Sequence, residues 1–365
     1  MAPTAPPTKH NVDLLLLVIA MDWSQQQGHI LTGGGKIEEF FNPPLFPWNE
    51  NELPHYHKVQ GNTRQVFQAW KQGGKETSLV AGAWCRPLFV GGWHHSDAHT
   101  ERTFNLQTPT IFIDLRIPLN GFPRHESLSS MTDAELRLFA RRHCFAGYSV
   151  VNEGPWSDGN PPVCVRHHAI DWNFTGKMRP RPNKWRIEMR ADGEVWKEWG
   201  YAKDANGQHL YMERWHRLPD GRGPYLALRR SGAVDAFLVV CGNHFAFTQD
   251  RPTPQPLDPA MLAFPGLQPL VDALVARGHR DTAEAYLQLE GMHGLVRSPD
   301  GSAKPWTIDA ALHPWLEGTQ LLRPGDVKIQ PGASAVQWRG AEWLVVESSL
   351  DAEGLSQLFS ERARL

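Results

Sequence analysis

Residues 84–118 read WCRPLFVGGWHHSDAHTERTFNLQTPTIFIDLRIP, and this stretch decides the fold class. It holds three short apolar or alternating runs: Trp84 to Val90, Thr100 to Gln107 and Thr110 to Ile117. Gly91-Gly92 and the His/Asp segment 94–99 separate the first two runs, and Pro109 separates the second from the third. Runs of this kind, joined by turns this tight, are consecutive antiparallel strands in a meander.

The same rhythm continues outward. Further strands are predicted at 145–151, 163–172, 184–190, 194–201, 209–217, 225–230, 236–241 and 244–249, then near 286–296, 305–312, 319–323, 326–330, 335–339 and 342–348. Asp204-Ala-Asn-Gly207 and Pro219-Asp-Gly-Arg-Gly223 supply hairpin turns. Helices are few. Thr132 with Glu135 three positions later forms a capping box for a helix over about 131–142. Other helical segments are expected at 270–278, 281–285 and 351–360. The prediction is a mainly β protein: two antiparallel β-barrels or curved sheets with a few short helices. Residues 1–75 read as an irregular extension, 76–251 as a first barrel domain and 252–365 as a second β-rich domain that stands by itself or completes or packs on the first, divided at the Pro-rich stretch 252–269.

Composition narrows the functional classes. The formal net charge is −2, with 37 basic and 39 acidic residues, which argues against a nucleic-acid coat. The 15 Trp are unusual. They fit wide aromatic cores, or an apolar pocket with polar handles. Cys85, Cys144, Cys164 and Cys241 form no CxxC pair, so free buried thiols in a reducing, cytoplasmic compartment are expected, without zinc. The apolar run 14–20 is too short to span a bilayer and reads as a buried strand or helix. No membrane partner is expected, and the oligomeric state stays open.

Three strands carry charges where a β interior should be apolar. Residues two apart share a strand face. Phe112, Asp114 and Arg116 therefore lie on one face; Tyr211, Glu213, Trp215 and Arg217 on another; Trp196 and Glu198 on a third. Aromatic walls with a few fixed carboxylates and guanidiniums suit the inside of a ligand barrel. The alternative is a set of structural Arg–carboxylate bridges between strands. His94, His95, Asp97 and His99 are metal-capable, but they fall at a hairpin tip and read as an exposed loop. His167 and His168 point to opposite faces of one strand, so one of them can serve an interior as a base. There is no GxSxG elbow, HExxH, P-loop or dinucleotide fingerprint. Gly33-Gly34-Gly35-Lys36 is a flexible turn.

Trp84-x-Arg86, the Asp97 to Thr100 hairpin, Leu106-Gln-Thr-Pro109 and Ile113-Asp-Leu-Arg-Ile-Pro118, with the Glu213-Arg-Trp-x-Arg217 strand and Pro314-Trp-Leu-Glu-Gly318, resemble a group of largely uncharacterised proteins. These are similar in pattern to the yeast Hri-type proteins. The resemblance spans roughly 80–348 and implies two lipocalin-like barrels. It implies no activity.

The leading expectation is a barrel that binds a small apolar or aromatic molecule with a polar or anionic group, without a cofactor. Phe112, Trp196, Glu198, Tyr211, Trp215 and Arg116 would contact it. A second reading is a cofactor-independent enzyme performing acid/base chemistry (hydration, isomerisation, cyclisation or hydrolysis), with Glu213, Asp114 or His168 moving the proton. A third is a structural or interaction protein whose interior is closed by Trp side chains.

Overall fold

The computed structural model describes residues 79–360 except 92–94, 120–121, 123–124, 153–161, 175–182, 202–203, 205, 231, 233, 253–263, 265, 300, 302, 324, 331 and 333. The expected extension 1–75, the apolar run 14–20 and the triglycine turn lie outside the described residues.

The first sheet holds β1 (Gly82–Gly91), β2 (His95–Asp97), β3 (Glu101–Gln107), β4 (Ile111–Pro118), β5 (His143–Asn152), β6 (Val163–Asp171), β7 (Asn183–Met189), β8 (Val195–Gly200) and β9 (Tyr211–Arg217). All its pairings are antiparallel, and β9 pairs back onto β1, closing a barrel of eight strands with β2 attached to the outer end of β1. The second sheet comprises β10 (Tyr225–Arg230), β11 (Ala236–Cys241), β12 (His244–Gln249), β13 (Glu290–Leu295), β14 (Thr307–Ala311), β15 (Lys328–Ile329), β16 (Ala335–Trp338) and β17 (Ala341–Ser348). Its order is β14-β13-β12-β11-β10-β17-β16-β15, and no pairing among the described residues joins its ends. The expected pair of barrels or curved sheets is thus one closed barrel and a second antiparallel sheet. Residues 319–323 form no strand; among the described residues their ladder contact is the bridge Thr307↔Gln320.

The change of sheet falls between β9 and β10, at 218–224, ahead of the Pro-rich stretch where the sequence divides the chain. β10 to β12 belong with the later strands because β10 pairs with β17. Proline content at 252–269 marks a connection inside the second unit, between β12 and α2 (Leu267–Ala276).

Helix α1 (Asp133–Phe139) starts at the predicted capping box: the Thr132 side chain accepts from the Glu135 amide, and Glu135 accepts from the Thr132 amide. Leu136 and Phe139 point into the core. With α2 and α3 (Arg280–Tyr286), this helix covers a core that runs across both sheets. Ile111, Ile113, Leu115 and Ile117 on the outer face of β4 meet it from the barrel, and Phe237, Val239 and Cys241 from β11. This explains why β4 is buried on both faces. The opposite face of the second sheet is filled by Leu238, Val240, Phe247, Trp306, Trp338 and Trp343, with α4 (Ala352–Leu358) laid over it. No helix among the described residues is long and apolar enough to cross a membrane.

Candidate functional site

Register decides which side chains enter the closed barrel. Directly paired residues on antiparallel strands share a face. Asp114 pairs with Asn105 on one side and Phe145 on the other. Glu213 pairs with Glu198 and with Phe89. Following these pairs around the ladder places Phe112, Asp114, Arg116, His168, Trp196, Glu198, Tyr211, Glu213 and Trp215 on the inner face. All nine sequence-chosen site residues therefore meet in one interior, although they come from four strands.

The interior is layered. At the end nearest the β9–β10 connection, Trp84, Trp185, Trp196 and Trp215 form an aromatic floor with Val80, Val151, Cys164 and Ile187. Trp196 and Trp215 stack with centroids 5.5 Å apart, and Trp84 meets Trp196 edge-on at 6.1 Å. Above this floor lies a charged layer. Asp114 accepts from Arg116 at 2.8 and 3.1 Å, and Arg166 approaches it at 3.3 Å. Arg166 also donates to Gln107 at 2.9 Å and lies over the rings of Phe112 and Trp185, at 4.2 and 4.7 Å. Glu213 sits 3.0 Å from Arg86 and 3.6 Å from Arg116. Arg86 in turn bonds Glu101. The Arg116 side chain is 22% exposed, which puts it at the mouth.

The two cross-strand glutamates differ. Glu198 accepts from the Tyr211 hydroxyl at 2.8 Å. Burial and the neighbouring charge of Glu213 push its carboxyl up to about 8. Asp114 goes the other way: burial raises it, but the Arg116 and Arg166 guanidiniums outweigh that and hold it at about 2. His168 Nδ1 donates to the Asp171 carboxylate at 2.8 Å, and the ring lies against Phe112 and Phe145. His143, at the mouth, is lowered to about 4 by burial and by Arg116.

Several interior polar atoms have no hydrogen-bond partner among the described residues. They are the indole N–H groups of Trp185, Trp196 and Trp215, both side-chain atoms of Asn105, Nε2 of Gln107 and Oε2 of Glu213. Each unsatisfied buried group costs about 1–3 kcal/mol.

Sequence reasoning missed Arg86, Glu101, Asn105, Gln107 and Arg166 as interior residues. Two bulges hid some of them. Between Cys85 and Leu88 one extra residue enters β1, so the inward set runs Trp84, Arg86, then Phe89. Pro87 sits in that irregular step, where no ladder hydrogen bond is required. A second shift opposite Ala146 and Gly147 moves β6 from His168 to Asp171. Arg166 was legible, because it alternates with Cys164 and His168. The His/Asp segment, expected as an exposed loop, is a strand in part, and its turn falls at 98–100. His95 to Asp97 forms β2, and the Asp97 carboxylate accepts from the His99 and Thr100 amides. No group of residues suited to hold a metal ion occurs among the described residues. His94 and the side chain of His167 lie outside what is described. The four cysteines are free.

No protein-family model matches the chain. No curated protein matches it either. Among solved structures, it is similar to the uncharacterized protein YLR301w from Saccharomyces cerevisiae, at 14% identity and a TM-score of 0.43, over 74% of this chain and 99% of that one. At that level the similarity carries no argument about function or ancestry.

Proposed function

We propose that the closed barrel binds a small molecule with an aromatic or apolar body and a polar or anionic group. One observation supports this reading: an aromatic interior holds buried donors and acceptors that have no hydrogen-bond partner among the described residues. A ligand body against Trp196, Trp215 and Phe112 replaces apolar hydration, and its polar atoms supply partners for the indole N–H groups and Asn105. Arg116 at the mouth is placed to meet an anionic end, and Glu213 Oε2 to meet a donor.

The test is native mass spectrometry of freshly purified protein, followed by denaturing extraction. We expect a retained small molecule whose release quenches or shifts the Trp emission. A clean apo mass, with no emission change across a library of aromatic acids, would remove the reading.

A second reading is favoured by Glu198 alone. A carboxyl raised to about 8, hydrogen-bonded to Tyr211 and directly opposite the Glu213 side chain, suits general acid/base chemistry. In that reading Glu198 moves the proton rather than Asp114, which two guanidiniums keep ionised. Turnover of the extracted compound that is abolished in Glu198→Gln, with binding retained, would establish it.

A further inference from the structure

A concavity lies outside the barrel, where the β9–β10 connection meets the β11–β12 turn and residues 297–299. It has a volume of about 850 Å³. That is the size of a small-molecule pocket rather than of a bare ion. Three guanidiniums line it, from Arg217, Arg222 and Arg297, against two carboxylates, Glu194 and Asp220.

The three arginines are not equivalent. Arg217 and Arg222 converge on the same Glu194 carboxylate. Arg217 also donates to the Gly193 carbonyl at 2.9 Å and stacks over Trp84 at 4.0 Å, so it is locked in place. The Arg297 side chain has neither a carboxylate nor a hydrogen-bond acceptor among the described residues, and its Nη2 is buried. Its backbone is fixed instead: the amide donates to Asn243 Oδ1 at 3.0 Å, and its carbonyl accepts from Asn243 Nδ2 at 2.9 Å. Burial lowers the guanidinium's proton affinity, which an anion would restore.

The walls are built. Gly242 has φ 58 and sits against the Asp220 and Arg222 carbonyls, so a side chain there has no room. Asn243 donates to the Asp220 carbonyl at 2.9 Å, joining the two turns. Leu218, Pro219, Pro224 and Pro299 add an apolar surface beside the guanidiniums.

We propose that this cleft binds a phosphorylated small molecule, with Arg297 as the principal phosphate ligand and the Leu/Pro wall against the organic body. Guanidinium meets phosphate in a two-pronged, charge-assisted geometry, and a neutral or cationic ligand would leave the unmatched cation uncompensated. The proposal does not rest on ligand binding inside the barrel.

The experiment is an NMR titration of the full chain with phenyl phosphate at low ionic strength, with inorganic phosphate as competitor. We expect saturable amide shifts at Gly221, Arg222, Gly242, Asn243 and Ser298, reversed by inorganic phosphate. Arg297→Ala should weaken binding at least about tenfold, the loss expected for one charged hydrogen bond. Arg297→Lys should recover part of it. Arg137→Ala, which removes an exposed guanidinium on α1, should change it less than about twofold, as for a screened surface charge. Absence of saturable shifts at millimolar phenyl phosphate would overturn the proposal, as would equal losses in Arg297→Ala and Arg137→Ala. The wild-type shifts decide the matter even if Arg297→Ala folds poorly.

Discussion

Glu213 and Glu198 stand side by side on adjacent strands and serve opposite electrostatic purposes. Glu213 answers two guanidiniums, Arg86 and Arg116. Its replacement by Gln leaves both partly uncompensated in an interior where Arg86 and Glu213 side chains are 2% and 3% exposed. Breaking a buried pair costs about 3 kcal/mol. Urea denaturation of Glu213→Gln should show a loss of that order; a loss below about 1 kcal/mol would mean that water screens the pair. Glu198 predicts a different signature. Its folded pKa of about 8 lies above the ordinary value of 4.5, so the protonated form favours the folded state. That contribution is complete below 4.5 and is lost as pH rises from there through about 8. Glu198→Gln keeps a neutral side chain throughout. Its melting temperature should therefore gain on the wild type steadily across this window, and parallel curves would show that Glu198 is not perturbed. At this scale the sequence was informative, because period-two alternation alone puts Asp114 with Arg116 and Glu213 with Trp215. It was silent on Glu101, whose place opposite Arg86 depends on a bulge.

Elements are shaped by a few positions where the backbone has no slack. Gly242 and Gly340 both adopt positive φ, 58 and 70. They differ in surroundings: a Cβ at Gly340 meets nothing within 4 Å, while one at Gly242 runs into two carbonyl oxygens. Gly340→Ala should cost about 1 kcal/mol, the ordinary left-handed penalty for an L residue. Gly242→Ala should cost clearly more, since the β11–β12 turn must move off the 218–224 connection. Equal midpoints in chemical denaturation would contradict the close approach. At the start of α1, Thr132→Ala removes one arm of the capping box and should cost about 1 kcal/mol. Local elements were the most legible part of the chain, because turns and caps are written in adjacent residues. The division into units was not: pairing of Leu226 with Ser348 joins positions that no short pattern links. The Pro-rich stretch misled for the same reason, being a local signal inside a unit assembled by distant strands.

The whole molecule is held by an interface that excludes water from ionisable groups. Thr108 and Thr110 on the barrel donate to Glu347 of β17. His293 lies flat on Phe104, with ring centroids 4.0 Å apart, and shares a 3.2 Å contact with His244, which meets the Pro219 carbonyl at 2.7 Å. Burial lowers the proton affinity of both imidazoles, and it brings His143 and His313 to about 4. A histidine whose folded pKa is depressed favours the folded state above 6.5 and loses that contribution as pH falls. Stability should decline from pH 6.5 towards 4, and His293→Phe should flatten the decline while preserving the stack on Phe104. Because one apolar core spans both sheets, far-ultraviolet dichroism and Trp emission should report a single shared transition. Two separated transitions would mean that the barrel and the second sheet are energetically independent.

The central place of β10, between β11 and β17, also has a consequence for synthesis. The ribosome delivers every strand of the barrel by Arg217, so the barrel can seal early. β10 emerges next and then waits for Ala341–Ser348 with one edge bare. A nascent chain stopped anywhere in that interval carries a finished barrel tied to an unpaired, apolar strand edge, the kind of surface that recruits chaperones and promotes aggregation. Premature termination just before β17 therefore leaves β10 with a bare edge, and the completion of this fold is timed by one of its last strands.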